Sequence, residues 1–153
     1  PNVAPPETTL EAYDRIVDAI GPERCVLRID PIIPTNKGMA KALNILARRR
    51  GRVRISYIDN YRDLGFKLPW STFQAPYRPQ IPDTEVCGEP NFPCTGCVSA
   101  RDYAAIGAET PQINGTSGQR RHCHCLATKT ELLSNMTPCF HGCLYCYWRR
   151  NAK

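Results

Sequence analysis

The sequence lacks several features that would assign it to a class at once. No stretch approaches about 18 consecutive apolar residues, so we expect no membrane-spanning helix. No basic-then-apolar leader follows Pro1, which predicts no secretory signal and suggests a piece of a longer protein. Internal repeats and low-complexity tracts are also absent. Hydrophobic and charged fractions of 42% and 22% exclude a wholly disordered chain.

Cysteine, by contrast, is abundant. The 153 residues contain nine cysteines, and eight of them lie between positions 87 and 146. An odd count without a leader favours thiolate ligands in a reducing, cytoplasmic compartment over a disulfide framework. The nine are Cys25, Cys87, Cys94, Cys97, Cys123, Cys125, Cys139, Cys143 and Cys146.

Residues 1–65 alternate between helical and strand patterns. Thr8 and Glu11 have the spacing of a capping box, which predicts a helix from about Thr8 with its end at Gly21. The other predicted elements are a strand over 25–30 closed by Pro31, a helix over 37–50 and a strand over 53–58. Helices alternating with strands predict an α/β fold with a parallel sheet or barrel. Apolar residues predicted to share the inner helix faces are Leu10, Tyr13, Ile16, Val17 and Ile20, then Met39, Ala42, Leu43 and Leu46.

The remainder of the chain divides into two segments of different composition. Residues 66–93 contain six prolines, which predicts a linker or wrapping loop. Residues 94–153 form a cysteine-rich and loop-rich region. The expected organisation is therefore 1–65 for partial βα-barrel units, 66–93 for the linker, and 94–153 for an iron–sulfur region.

The strongest chemical signal is a three-cysteine run formed by Cys139, Cys143 and Cys146. Its spacing is C-x3-C-x2-C, and Tyr145 directly precedes the last cysteine. Three thiolates from one short segment suit a [4Fe-4S] cube with one open iron, whereas structural zinc sites use four protein ligands.

The string TPCFHGCLYCY at 137–147 resembles the cluster motif of radical S-adenosylmethionine enzymes. Its form is that of the spore photoproduct lyase and DNA repair photolyase-like branch. Further stretches resemble a little-characterised bacterial family of that branch, a domain of unknown function with a C-terminal motif. These stretches are 1–3, 21–32, 55–61 and 119–125.

The resemblance implies a [4Fe-4S] cluster held by the three-cysteine run, with Tyr145 beside the cofactors. S-adenosylmethionine would bind the open iron and be cleaved to a radical, with electrons from a flavodoxin or ferredoxin type of donor. The implied fold is a partial (βα) barrel, and the resemblance places the start of this chain in the middle of the family's domain. Active sites of such barrels lie at the carboxyl ends of the strands. Candidate catalytic residues at those ends are Arg28, Asp30, Ser56 and Asp59.

The remaining cysteines allow a second site. Cys94 and Cys97 form a C-x2-C pair, Cys123 and Cys125 a C-x-C pair, and Cys87 precedes both. Four of these thiolates can bind zinc or a second iron–sulfur cluster, or all five can be reduced thiols. Cys125 is also a candidate fourth ligand of an electron-transfer cluster. Cys25, at the start of an apolar strand, is predicted to be a core residue.

Five arginines between positions 48 and 54 form a basic patch. Together with a net charge of +6 they are compatible with nucleic acid as partner or substrate. The alternative is that they end a helix and stay solvated. The other candidate function is thus a non-catalytic zinc-binding module that binds nucleic acid. The patch consists of Arg48, Arg49, Arg50, Arg52 and Arg54.

Overall fold

The computed structural model describes residues 2–58, 81–90, 92–111, 124–126 and 141. Its elements are α1 (Pro6–Ile20), a 3-10 turn (Pro22–Arg24), β1 (Val26–Ile32), α2 (Asn36–Leu46), β2 (Arg52–Tyr57), β3 (Glu85–Val86) and α3 (Ala100–Ala105). The three strands form one parallel sheet in the order β1-β2-β3. Helices combined with a parallel sheet confirm the α/β class, and the partial barrel stays a prediction.

The two long helices lie where the sequence pattern placed them, with shifted ends. Helix α1 begins at Pro6 instead of Thr8, because proline suits the first turn of a helix. It ends at Gly21, whose positive φ of 89° permits the chain to leave the helix. Helix α2 is capped by the Thr35 hydroxyl, which accepts from the Gly38 N–H at 3.1 Å. No helix in the described ranges is long and apolar enough to cross a membrane.

The buried helix faces are narrower than predicted. Leu10, Tyr13 and Val17 of α1 and Ala42 and Leu46 of α2 are buried in the core, as expected. The inward assignment of three other apolar residues is wrong, since Ile16, Ile20 and Leu43 are 53%, 48% and 51% exposed. These side chains lie at the margins of the packed stripes.

Strand β2 is the centre of the sheet, and every residue of it is buried. Successive side chains of a strand point to opposite faces. Val53, Ile55 and Tyr57 therefore share one face, where they join the core with residues of both long helices. Arg52, Arg54 and Ser56 occupy the other face, which is polar although it is also buried.

The register aligns the polar residues of all three strands. Arg28 is paired with Arg54, which is paired in turn with Glu85. The next rung is apolar and consists of Ile29, Ile55 and Val86. Because side chains alternate, the following residues Asp30, Ser56 and Cys87 return to the polar face. Strand β3 belongs to the proline-rich stretch 66–93, so that stretch contributes to the sheet.

The arginine patch is engaged with carboxylates. Arg52 and Arg54, with side chains 5% exposed, bind Glu85 and Asp102 on the polar face. The expectation that the arginines stay solvated is wrong for these two, because they lie on the central strand and not at a helix end. Helix α2 ends at Leu46, and the ion pairs beyond it are Arg48–Asp14, Arg49–Asp83 and Arg50–Asp18.

Candidate metal centre

Three cysteines from distant parts of the sequence meet beside the carboxyl end of the sheet. The Sγ atoms of Cys87, Cys97 and Cys125 all lie within 4.8 Å of one another. The distance between the Sγ atoms of Cys87 and Cys97 is 3.1 Å. Cys87 and Cys125 are buried at 4% exposure, and Cys97 is half-buried. Thiolates are the preferred ligands of zinc and of iron–sulfur centres, so this group can hold a metal ion.

Backbone hydrogen bonds fix each of these cysteines. Cys87 directly follows β3, and its N–H donates to the carbonyl of Ile55 at 3.0 Å. The Cys97 N–H donates to the Cys125 sulfur at 2.9 Å. One residue further along each segment, the N–H of Leu126 donates to the carbonyl of Val98 at 2.9 Å. The segment carrying Cys125 is thereby held against the loop that precedes α3.

Gly96 permits this close approach. Its φ is +83°, and a Cβ at this position would lie 2.6 Å from the carbonyl oxygen of His124. No side chain fits there unless the two backbone segments separate. The glycine inside the C-x2-C pair is therefore a packing requirement of the three-cysteine group.

We expect Gly96→Ala to lower the free energy of unfolding by about 2–5 kcal/mol, because left-handed strain and overpacking add. Gly107→Ala is the matched control, since Gly107 has a φ of +71° with no atom within 4 Å of the added Cβ. The control should cost about 1–2 kcal/mol from strain alone. Chemical denaturation of both variants measures the difference, and equal losses would refute the close-packing account.

Arg28 provides the electrostatic environment of Cys97. Its Nη1 donates to the Cys97 sulfur at 2.8 Å. The hydrogen bond from the Cys87 thiol is the largest effect on Cys97; burial opposes it and Arg28 reinforces it, so the pKa of Cys97 falls to about 5. The same hydrogen bond and burial raise the pKa of Cys87. Cys97 is therefore a thiolate at neutral pH, while Cys87 keeps its proton in the absence of metal.

Arg28 also connects the cysteines to the predicted barrel-end residues. Its guanidinium forms an ion pair with Asp30 at 2.5 Å, and Asp30 accepts from the Ser56 hydroxyl at 2.7 Å. The structure thus joins Arg28, Asp30 and Ser56 in one chain of contacts that ends at Cys97. Asp59 lies outside the described residues. The catalytic role of these residues stays a prediction.

The backbone of Cys97 is held by the ion-pair cluster on the polar face of the sheet. Arg54 donates from Nη1 to the carbonyl oxygen of Cys97 at 2.7 Å, while its other nitrogens bind Glu85. No sequence pattern predicts this link between Arg54 and Cys97. The only signal was an arginine in a predicted strand, which argues for a buried charge partner somewhere in the fold.

The predicted five-cysteine group separates in the structure. Cys94 is not part of the close set, since its Sγ donates to the carbonyl of Glu89 at 3.1 Å and accepts from the Glu89 N–H at 3.3 Å. The C-x2-C spacing predicts instead that Cys94 and Cys97 belong to one site. Cys123 lies outside the described residues. Cys25 is 6% exposed and belongs to the core cluster, which confirms that prediction.

The run predicted to bind the iron–sulfur cluster falls mostly outside the described residues, including Cys139, Cys143, Tyr145 and Cys146. His141, in the middle of the run, is described. Its Nδ1 lies 2.8 Å from the carbonyl oxygen of Asn2, and its own carbonyl accepts from the Asn2 N–H at 2.8 Å. The middle of the run is thus hydrogen-bonded to the segment that precedes α1.

Comparisons with known proteins give no match: no family model matches the chain, and no curated protein or solved structure is significantly similar to it.

Proposed function

We propose that this chain is part of a radical S-adenosylmethionine-type iron–sulfur protein. The observation that carries the proposal is the C-x3-C-x2-C spacing of Cys139, Cys143 and Cys146, with Tyr145 before the last cysteine. Three thiolates satisfy three irons of a [4Fe-4S] cube and leave the fourth for an external ligand. A cluster bound by these three cysteines would supply the electron that cleaves S-adenosylmethionine and produces a radical.

The polar face of the sheet supports this proposal. In a βα barrel, helices cover the outside of parallel strands, and inward-facing side chains of the strands surround the site. Here α1 and α2 pack on the apolar face, and the opposite face carries buried polar residues. Arg28 and Ser56 both donate to the Asp30 carboxylate on that face, and Asp30 and Ser56 lie in the carboxyl-terminal halves of β1 and β2.

The chain's own residues would bind and orient a polar substrate at that end. Asp30 is held by Arg28 and Ser56, so its carboxylate is fixed before any ligand arrives. The fixed carboxylate can accept from hydroxyl or amino groups, and the guanidinium beside it can donate to an anionic group. We propose Arg28 and Asp30 as substrate-orienting residues, and Ser56 as the residue that positions Asp30.

The decisive experiment is anaerobic reconstitution of the chain with iron and sulfide. We expect about four irons bound at the run, a visible charge-transfer absorption, and an EPR signal that changes when S-adenosylmethionine is added. Single Cys→Ala changes at Cys139, Cys143 and Cys146 should each abolish the cluster. Cys94→Ala is the matched control and should leave it intact. Stoichiometric zinc with no cluster would overturn the proposal.

A second candidate, a non-catalytic zinc-binding module that binds nucleic acid, is favoured by the close thiols of Cys87, Cys97 and Cys125. The net charge of +6 is compatible with a nucleic-acid partner. The arginine patch gives this idea less support, because its members bind carboxylates. The same reconstitution separates the two candidates, since the module would take up zinc alone and show no response to S-adenosylmethionine.

A further inference from the structure

We propose that Cys87, Cys97 and Cys125 form a mononuclear site for a thiophilic divalent cation of the Zn²⁺ class. The site uses none of the cysteines of the three-cysteine run and would exist whether or not that run binds a cluster. It uses one residue after β3, one before α3 and one from the segment 124–126, so the ion would join three parts of the chain.

The separation of the sulfurs selects a single ion over a cluster. A tetrahedral zinc ion with Zn–S bonds of about 2.3 Å holds its sulfurs about 3.8 Å apart. The three sulfurs lie within 4.8 Å of one another, and those of Cys87 and Cys97 are 3.1 Å apart. Small side-chain rotations bring all three to bonding distance of one central ion. A [4Fe-4S] cube attaches each cysteine to a different iron and requires wider spacing.

The groups around the sulfurs also suit thiolate ligands. The described contacts include two N–H groups that donate to sulfur, from Arg28 to Cys97 and from the Cys97 backbone to Cys125. N–H donors of this kind orient metal ligands and tune the metal. Three thiolates and one divalent ion leave a charge of about −1, and the Arg28 guanidinium, shared with Asp30, lies beside it.

Three cysteines fill three of the four positions of a tetrahedral ion. Sites with three protein ligands keep the fourth position for water or another exogenous ligand. Arg28 and Asp30 adjoin Cys97, so a molecule in that position would lie near the polar end of the sheet. The ion would therefore have a structural effect, by joining segments, and among the described residues its fourth coordination position stays available.

The test uses the full-length, reduced chain carrying Cys139→Ala, Cys143→Ala and Cys146→Ala, so that the run cannot contribute ligands. We expect this variant to bind one Zn²⁺ in competition with a chromophoric chelator. Co²⁺ should give the intense visible bands of a tetrahedral site and a thiolate-to-metal charge-transfer band. Adding Cys97→Ser or Cys125→Ser should weaken Zn²⁺ binding by more than about 100-fold, which exceeds the usual effect of changing a residue behind a ligand. Cys94→Ser, the matched control, should leave the affinity within about threefold.

The proposal fails if the triple variant binds no Zn²⁺, if Co²⁺ shows the weak bands of octahedral oxygen coordination, or if Cys94→Ser reduces affinity as much as Cys97→Ser. The first two outcomes do not depend on whether a ligand variant folds. They are measured on the triple variant, which retains Cys87, Cys97 and Cys125. As an independent measurement, Zn²⁺ should raise the melting temperature of the triple variant. A melting temperature unchanged at saturating Zn²⁺ would also contradict the site.

Discussion

Glu85→Gln should lower the free energy of unfolding by about 3–5 kcal/mol, the usual cost of breaking a buried ion pair by removing one partner. The Glu85 side chain is 8% exposed and receives hydrogen bonds from Arg52 and Arg54. Without the carboxylate, two guanidinium groups stay buried with Asp102 as their shared partner. Urea or guanidinium denaturation measures the loss.

Asp83→Asn is the matched control for that experiment. Asp83 lies two residues before Glu85 and pairs with Arg49 at 3.3 Å, but its side chain is 80% exposed. An exposed pair of this kind contributes about 0.2–1 kcal/mol. Similar losses for the two variants would show that burial does not govern the Glu85 cluster.

The same cluster sets an acid limit on stability. Burial raises the pKa of Glu85, but hydrogen bonds from Arg52 and Arg54 outweigh it, so its pKa falls below the ordinary 4.5. Asp102 behaves alike: burial is outweighed by hydrogen bonds from Ser99 and Arg54, and its pKa falls below 3.8. Because the unfolded chain binds these protons more readily, the stabilisation is complete above about pH 4.5 and is lost as pH falls through the folded pKa values. Glu85→Gln should therefore flatten the acid limb of the stability curve.

Ile55→Ala should cost about 2–5 kcal/mol, since the side chain is 0% exposed at the centre of β2. Truncation removes apolar contacts to the core and leaves a cavity between the sheet and the helices. Ile16→Ala is the matched control, because Ile16 is 53% exposed on α1 and its loss should stay within about 0.5 kcal/mol. The denaturant midpoints of both variants measure these two losses. A small loss for Ile55→Ala would mean that the core does not centre on β2.

The sequence predicts the helices and the two longer strands because their signals are local. Apolar spacing located α1 and α2, and short β-branched runs located β1 and β2. The sequence pattern does not predict β3, because this strand is two residues long and lies among prolines. Its place in the sheet comes from pairing with β2, about 30 residues earlier in the chain, and no local pattern contains that information.

The same distinction between local and long-range signals applies to the candidate site. Strand position predicted that Arg28, Asp30 and Ser56 lie close together, and the structure joins them by hydrogen bonds, while their catalytic role stays a prediction. The thiol partners of Cys97 were not predictable, because Cys87 lies beside it and Cys94 of its own C-x2-C pair is bonded to Glu89 instead. The close approach of the His124–Cys125 backbone to Gly96 is likewise a property of the folded chain. Arg52 and Arg54 were likewise interpreted as surface charges because their acidic partners are 31 to 50 residues away.

The position of β1 at one end of the sheet order has a consequence for association. Within the described ranges, β1 pairs with β2 on one side only. The outer side of such a strand is a template on which another strand can add, from a longer version of this chain or from a second molecule. Arg28 and Asp30 put charge on β1, and Pro31 carries no N–H with which to pair. These residues disfavour indiscriminate strand addition at β1, whereas a strand whose register avoids Pro31 can still pair there.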